Sequence, residues 1–181
     1  MGDAMRISAI ILAGLCLCLL PNAAFGEVFT SDQYGFSADF PAPPAVGKPQ
    51  GSETDAKGNF ISTSVITKTQ VNGIYTAMVT VESYVVPMKV EPSSTLLAMS
   101  RSFAAQLDAT ITSSKAGRLD GHRARFFSYE ARDHSSSGKG VVVLVQAKKP
   151  RSYMVLSMHT SLASEGEIAA LDKFIASFHV R

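Results

Sequence analysis

Cysteine is nearly missing from this 181-residue chain, and both copies, Cys16 and Cys18, sit in an apolar run close to its start. If that run leaves on export, what remains has no thiol, which excludes disulfides, cysteine nucleophiles and thiolate metal sites. Such a domain is held together by its core alone. Neither sign of charge is concentrated. Lys and Arg number 17 against 15 Asp and Glu, a formal net charge of +2. No polybasic run or acidic tail stands out, and this argues against nucleic acid as a partner. No Asn-x-Ser/Thr acceptor occurs, as fits a bacterial envelope protein, and no internal repeat is evident.

Catalytic signatures are missing too. There is no Gly-x-Ser-x-Gly elbow, and the acids form no recognisable general acid/base pair. The four histidines, His122, His134, His159 and His179, show no His-x-x-x-His spacing and no Glu or Cys at a metal-ligand offset. His122 beside Asp120 and His134 beside Asp133 read as solvated turn residues. Ser136-Ser-Gly-Lys139 matches Ser-x-x-Lys, but in penicillin-interacting enzymes that serine starts a helix. Here the match falls in a loop, residues 134–138, ahead of a strand, and no Lys-Thr-Gly follows. Gly138-Lys-Gly140 lacks the glycine spacing and trailing Ser/Thr of a phosphate loop. No catalytic, cofactor-binding or metal-binding residue is assigned, and no cofactor is expected.

What is present begins with a targeting signal. Arg6 supplies a positive start, Ile7 to Leu20 is apolar or small, Pro21 breaks the run, and Ala24-Phe25-Gly26 offers small residues at a cleavage site. The run falls short of the roughly 20 residues of a spanning helix, so 1–26 reads as a cleaved signal peptide and 27–181 as one domain. Leu15 and Leu17 stand where a lipoprotein signal needs a small residue before its cysteine. The expected location is periplasmic or secreted, with the membrane met only through the transient signal.

The remainder alternates between two periods. Tyr34 to Phe40 repeats every second residue, with Phe36, Ala38 and Phe40 on one side, and Pro41-Ala-Pro-Pro44 ends it. Residues 45–57 suit a short edge strand around Pro49, and Lys57-Gly58-Asn59 a turn. Phe60 to Thr69 and Ile74 to Val85 read as strands joined at Asn72-Gly73, a hairpin dipeptide. Residues 93–108 turn helical, with Leu96, Leu97, Phe103, Ala104 and Leu107 on one face. Thr110 to Leu119 and His122 to Asp133 flank Asp120-Gly121, and Phe126 or Phe127 anchors a core. Val141 to Val145 is apolar on both faces, as in a central strand. Lys148-Lys149-Pro150-Arg151 makes a basic turn before a strand over Ser152 to Thr160. Ser164 and Glu167 form a capping box for a last helix whose apolar face carries Ile168, Leu171, Phe174, Ile175 and Phe178. These elements predict the α+β class: a twisted antiparallel sheet of six to eight strands with two main helices on its faces.

Tyr34-Gly-Phe-Ser-Ala-Asp-Phe-Pro41 resembles the opening of small exported bacterial PsbP-like proteins. Leu119-Asp-Gly-His-Arg-Ala-Arg125, the aromatic strand after it and the final helix followed by Ser177-Phe178 fit the same pattern. The resemblance implies helices on both faces of the sheet, a fold shared by the photosystem II extrinsic subunit PsbP and a Ran-binding import factor. It implies a binding or assembly role, and no family catalytic residue transfers. The leading expectation is therefore a non-enzymatic module docking on another cell-envelope protein. Its candidate rim is Arg118, Arg123 and Arg125 around one turn and Lys148, Lys149 and Arg151 around the next, because arginine forks suit carboxylates and phosphates. The alternatives are a lipid or metabolite carrier with a pocket between helix 93–108 and the sheet, and a hydrolase built from His122, Asp133 and Ser128. The signal reading predicts that N-terminal sequencing of the exported protein returns Glu27 first; an intact Met1 overturns it.

Overall fold

Residues 28–181 are described by a computed structural model; the expected signal segment and its cleavage point lie outside them. In chain order the elements are β1 (Val28–Ser31), β2 (Phe36–Asp39), β3 (Ala45–Val46), β4 (Gln50–Thr54), β5 (Phe60–Val71), β6 (Tyr75–Tyr84), α1 (Pro92–Gln106), β7 (Ala109–Leu119), β8 (His122–Ala131), β9 (Ser136–Val145), β10 (Arg151–Thr160), α2 (Glu165–Ala176) and β11 (His179–Val180). An eight-stranded sheet runs β3-β5-β6-β10-β9-β8-β7, with β4 also paired to β5. All its pairings are antiparallel. This is the expected α+β architecture. β2 falls in the expected Tyr34–Phe40 strand but pairs in a second, three-stranded sheet, β1-β2-β11, whose partners of two and four residues carry too few side chains to show a period.

Turn chemistry sets the hairpin registers. Asn72 (φ 46°) and Gly73 (φ 71°) join β5 to β6, and Asp120 (φ 48°) and Gly121 (φ 80°) join β7 to β8. Positive φ at both central positions is the type I′ turn, whose twist matches that of the strands.

The two faces of the sheet are both apolar. One buries Tyr75, Ala77, Val79 and Val81 of β6, Val141 and Val143 of β9, and Tyr153 and Val155 of β10 against Phe36, Phe40, Leu171, Phe174 and Phe178. The other buries Phe127 and Tyr129 of β8, Val142 and Leu144 of β9, and Leu156 against Leu96 and Phe103 of α1. Phe103 meets Tyr129 edge-on at 5.2 Å, and Phe40 meets Phe174 at 4.7 Å. Phe126 and Phe127 therefore divide between the two cores. α2 starts at the expected capping box and is tied to β2 by Lys173 Nζ to Asp39 Oδ2 at 2.5 Å and by Asp39 N donating to Ser177 Oγ at 2.8 Å. Among the described residues no helix is long and apolar enough to cross a membrane.

Two expectations need correction. Residues 136–138 are not loop: β9 begins at Ser136, and Gly138 lies opposite Met158 and Tyr129. The glycines there are not turn punctuation. A Cβ on Gly138 would collide with the Ser157 carbonyl oxygen of β10 and meet the Tyr129 hydroxyl at 2.7 Å, and one on Gly140 would collide with the Phe127 ring and meet Leu156 Cδ2 at 2.8 Å. Gly140 is a berth for the Phe127 ring, and Gly138 makes room for the Ser157 carbonyl and the Tyr129 hydroxyl that donates to it. Leu107 does not join the apolar face of α1 but is 39% exposed. The chain leaves the helix there, since Asp108 takes φ 47° and Leu107 is the C-cap. Gly140→Ala is expected to lower stability by about 2–3 kcal/mol through overpacking. Urea unfolding reads this directly, and an unchanged midpoint contradicts the berth.

Candidate functional site

Antiparallel order carries two distant basic segments to the same end of the sheet. Arg123 of β8 lies opposite Leu144 of β9, and Leu144 opposite Ser152 of β10, so the 120–121 turn and the 146–150 turn project together. The loop from Val85 to Glu91 joins them, held by Tyr84 N to Pro150 O at 3.1 Å and Met88 N to Lys148 O at 3.2 Å. Arg118, Arg123, Lys148 and Lys149 are exposed there, together with Lys89. Lys89 had no sequence signal, because only the folded loop brings it in. Ion pairs among the described residues involve Arg132, His134, Lys139, Lys173, His179 and Arg181, and none of these end-facing cations. Asp108, Glu130, Asp133, Glu165 and Glu167 lie at the opposite end.

Arg151 belongs elsewhere. As an odd-numbered residue of β10 it shares the face of Tyr153 and Val155, and its Nη1 donates to Tyr34 O at 2.9 Å. Tyr153 Oη donates to the same carbonyl at 2.8 Å, and Arg181 N to Gly35 O at 2.9 Å. Its guanidinium anchors the turn before β2 and is not part of a rim.

The β7–β8 arginines surround a pocket of ≈ 440 Å³ beneath the first turn of α1. Cross-strand pairs Ala116↔Arg125 and Arg118↔Arg123 put these side chains on the α1 side of the sheet, where Pro92, Ser93 and Leu96 form the facing wall. The pocket lies between the first turn of the expected helix 93–108 and the sheet, and a second of ≈ 310 Å³ lies along the same helix beside Met99, Phe103 and Met154. Arg118 Nη1 donates to Gly121 O at 2.5 Å and Arg125 Nη1 to Ser114 Oγ at 2.7 Å. Arg125 Nε is buried with no hydrogen-bond partner. Glu91 is the acid nearest in sequence to the facing wall, but it is turned to its own helix, accepting from Ser93 N at 3.0 Å and Ser94 N at 2.6 Å. Those amide donors hold its carboxyl down at about 2.

The hydrolase residues do not assemble. His122 opens β8 and Ser128 lies six residues along it, roughly 20 Å away at strand spacing. Asp133 lies beyond the far end, accepting from Ser135 N at 3.0 Å and Ser135 Oγ at 2.6 Å. Asp120 ties its turn to the chain end, contacting His179 Nδ1 at 3.2 Å and Val180 N at 2.8 Å. His134 Nδ1 lies 2.7 Å from Glu130. One pair escaped the sequence reading: Ser137 Oγ and His159 Nε2, 3.3 Å apart, in a ≈ 350 Å³ cleft beside the Lys139–Asp172 ion pair. Both strands are paired on both sides, so their amides serve the ladder and offer no oxyanion hole. The contact is a cross-strand hydrogen bond. Among the described residues no three His, Cys, Asp or Glu lie close enough to hold a metal.

The fold is thus a two-faced antiparallel sheet with one helix on each side and a cationic end. No family model matches the chain, and no curated protein matches its sequence. Solved structures do match. The solution structure of cyanobacterial PsbP (CyanoP) from Synechocystis sp. PCC 6803 covers 92% of this chain and 99% of its own at a TM-score of 0.58 and 13% identity. The chain therefore has the PsbP-like fold, and likeness at that identity extends to the fold alone.

Glu91's folded pKa is depressed from its ordinary 4.5, so its hold on α1 is complete above that value and is lost as pH falls toward about 2. Carboxyl NMR should show Glu91 titrating near 2; a midpoint near 4.5 contradicts the cap.

Proposed function

We propose that this chain is a non-enzymatic binding or assembly module of the cell envelope, periplasmic or secreted, that docks on another envelope protein through the cationic end of its sheet. One observation carries the reading: Lys89, Lys148 and Lys149 from two loops and Arg118 and Arg123 from the strand ends flanking the 120–121 turn converge on one end and form no ion pair among the described residues. Charges placed so, on a rigid sheet, steer an acidic partner and set its orientation more than they add affinity. The PsbP-like fold supports a binding role, and the leader with Arg6 and Ile7 to Leu20 supports export with cleavage near Gly26. Neither nucleic acid nor a cofactor enters this reading.

Crosslinking with mass spectrometry in the native envelope identifies the partner, and its association rate is then compared with that of Lys148→Glu/Lys149→Glu. The double reversal is expected to slow association about tenfold or more at low salt, with the difference shrinking as salt rises. An unchanged rate at low salt overturns docking through this end.

A further inference from the structure

We infer that the pocket under the first turn of α1 is a binding site for an oxyanion, a phosphate or carboxylate, carried on a molecule with a short apolar body. Three observations point there. Arg118, Arg123 and Arg125 project into one cavity of ≈ 440 Å³, and none of them meets a carboxylate among the described residues. Arg125 is held by a single bond from Nη1 to Ser114 Oγ at 2.7 Å, while its Nε is buried with no partner. That Nε is closed to solvent in this structure, so an anion in the cavity meets Arg125 through its remaining guanidinium donors, whose planar fork fits two oxygens of a carboxylate or phosphate. The remaining wall is mostly apolar, with Pro92, Leu96 and Ala116 beside the single hydroxyl of Ser93, so a bound head group would carry its apolar atoms against them.

The surrounding charges leave that place open to an anion. Glu91 is committed to Ser93 N and Ser94 N, and Asp120 to His179 and Val180. Arg118 uses Nη1 on the Gly121 carbonyl, which fixes its position without neutralising its charge. The site shares Arg118 and Arg123 with the docking end, but it is tested on purified protein with no partner present, while docking is tested at Lys148 and Lys149. The failure of one is therefore distinguishable from the failure of the other.

The probes are inorganic phosphate, octyl phosphate and phosphatidylglycerol vesicles, the first two followed by calorimetry and amide NMR, the last by sedimentation. Octyl phosphate is expected to bind saturably and more tightly than inorganic phosphate, moving the amides of Ala116, Gly117 and Ala124. Arg125→Gln should lower its affinity at least tenfold and Arg125→Lys less, because lysine keeps the charge and loses the fork. Arg118→Gln/Arg123→Gln changes only exposed side chains and serves if the Arg125 variants fail to fold. Vesicle binding competed by octyl phosphate assigns the oxyanion to a lipid, and soluble binding without it assigns a free metabolite; either supports the site. No saturable binding of either soluble phosphate, or binding indifferent to both sets of substitutions, overturns it.

Discussion

A strand buried on both faces is the constraint to which the rest of this fold answers. Val141, Val142, Val143 and Leu144 are each at most 1% exposed, and burying one such side chain is worth about 1.5–3 kcal/mol. Neither face of β9 tolerates water, so each needs a cover. α2 with the small three-stranded sheet covers one, and α1 covers the other. β8 and β10 must pair on either side, because buried amides need partners. Gly138 and Gly140 follow from the same crowding, since the Ser157 carbonyl, the Tyr129 hydroxyl and the Phe127 ring need the space a Cβ would take.

With both faces occupied, exposed chemistry is pushed to the ends of the strands. At one end the acids cluster with Arg132 and His134, which pair with Asp108 and Glu130. At the other end Asp120 is engaged by His179 and Val180 and Glu91 by the first amides of α1, so the rim cations form no ion pair among the described residues. α1 begins over the β7–β8 hairpin, so its first turn roofs the pocket that the hairpin's arginines line. The same antiparallel connectivity that builds the core thus sorts charge and makes the cavity.

Much of the fold was legible because its signals are local. A period of two marks β2 and β6, Asn72-Gly73 and Asp120-Gly121 mark type I′ turns, and Ser164 with Glu167 marks the start of α2. The resemblance motif also has a local cause: Gly35 takes φ 66° before Phe36, and its carbonyl and that of Tyr34 are gripped by Arg181, Arg151 and Tyr153. Where one residue serves two neighbours, sequence signals mislead. Gly138 looked like a loop residue because nothing nearby in the chain reveals the carbonyl and hydroxyl it accommodates. Arg151 looked like a rim cation because its acceptor lies 117 positions away.

The sequence alone determined the class of fold, the hairpin registers, the helix starts and the residues of the core, since each depends on neighbours within a few positions. It also named five of the cations now grouped at one end or around the pocket, though not that they meet. Only the tertiary structure decided that Lys89 joins them, that Arg151 faces away, that Ser128, His122 and Asp133 stay apart, and that Arg125 keeps a buried donor unpaired. Those outcomes depend on strand order and on which face each residue occupies, quantities set by the packing of the whole sheet.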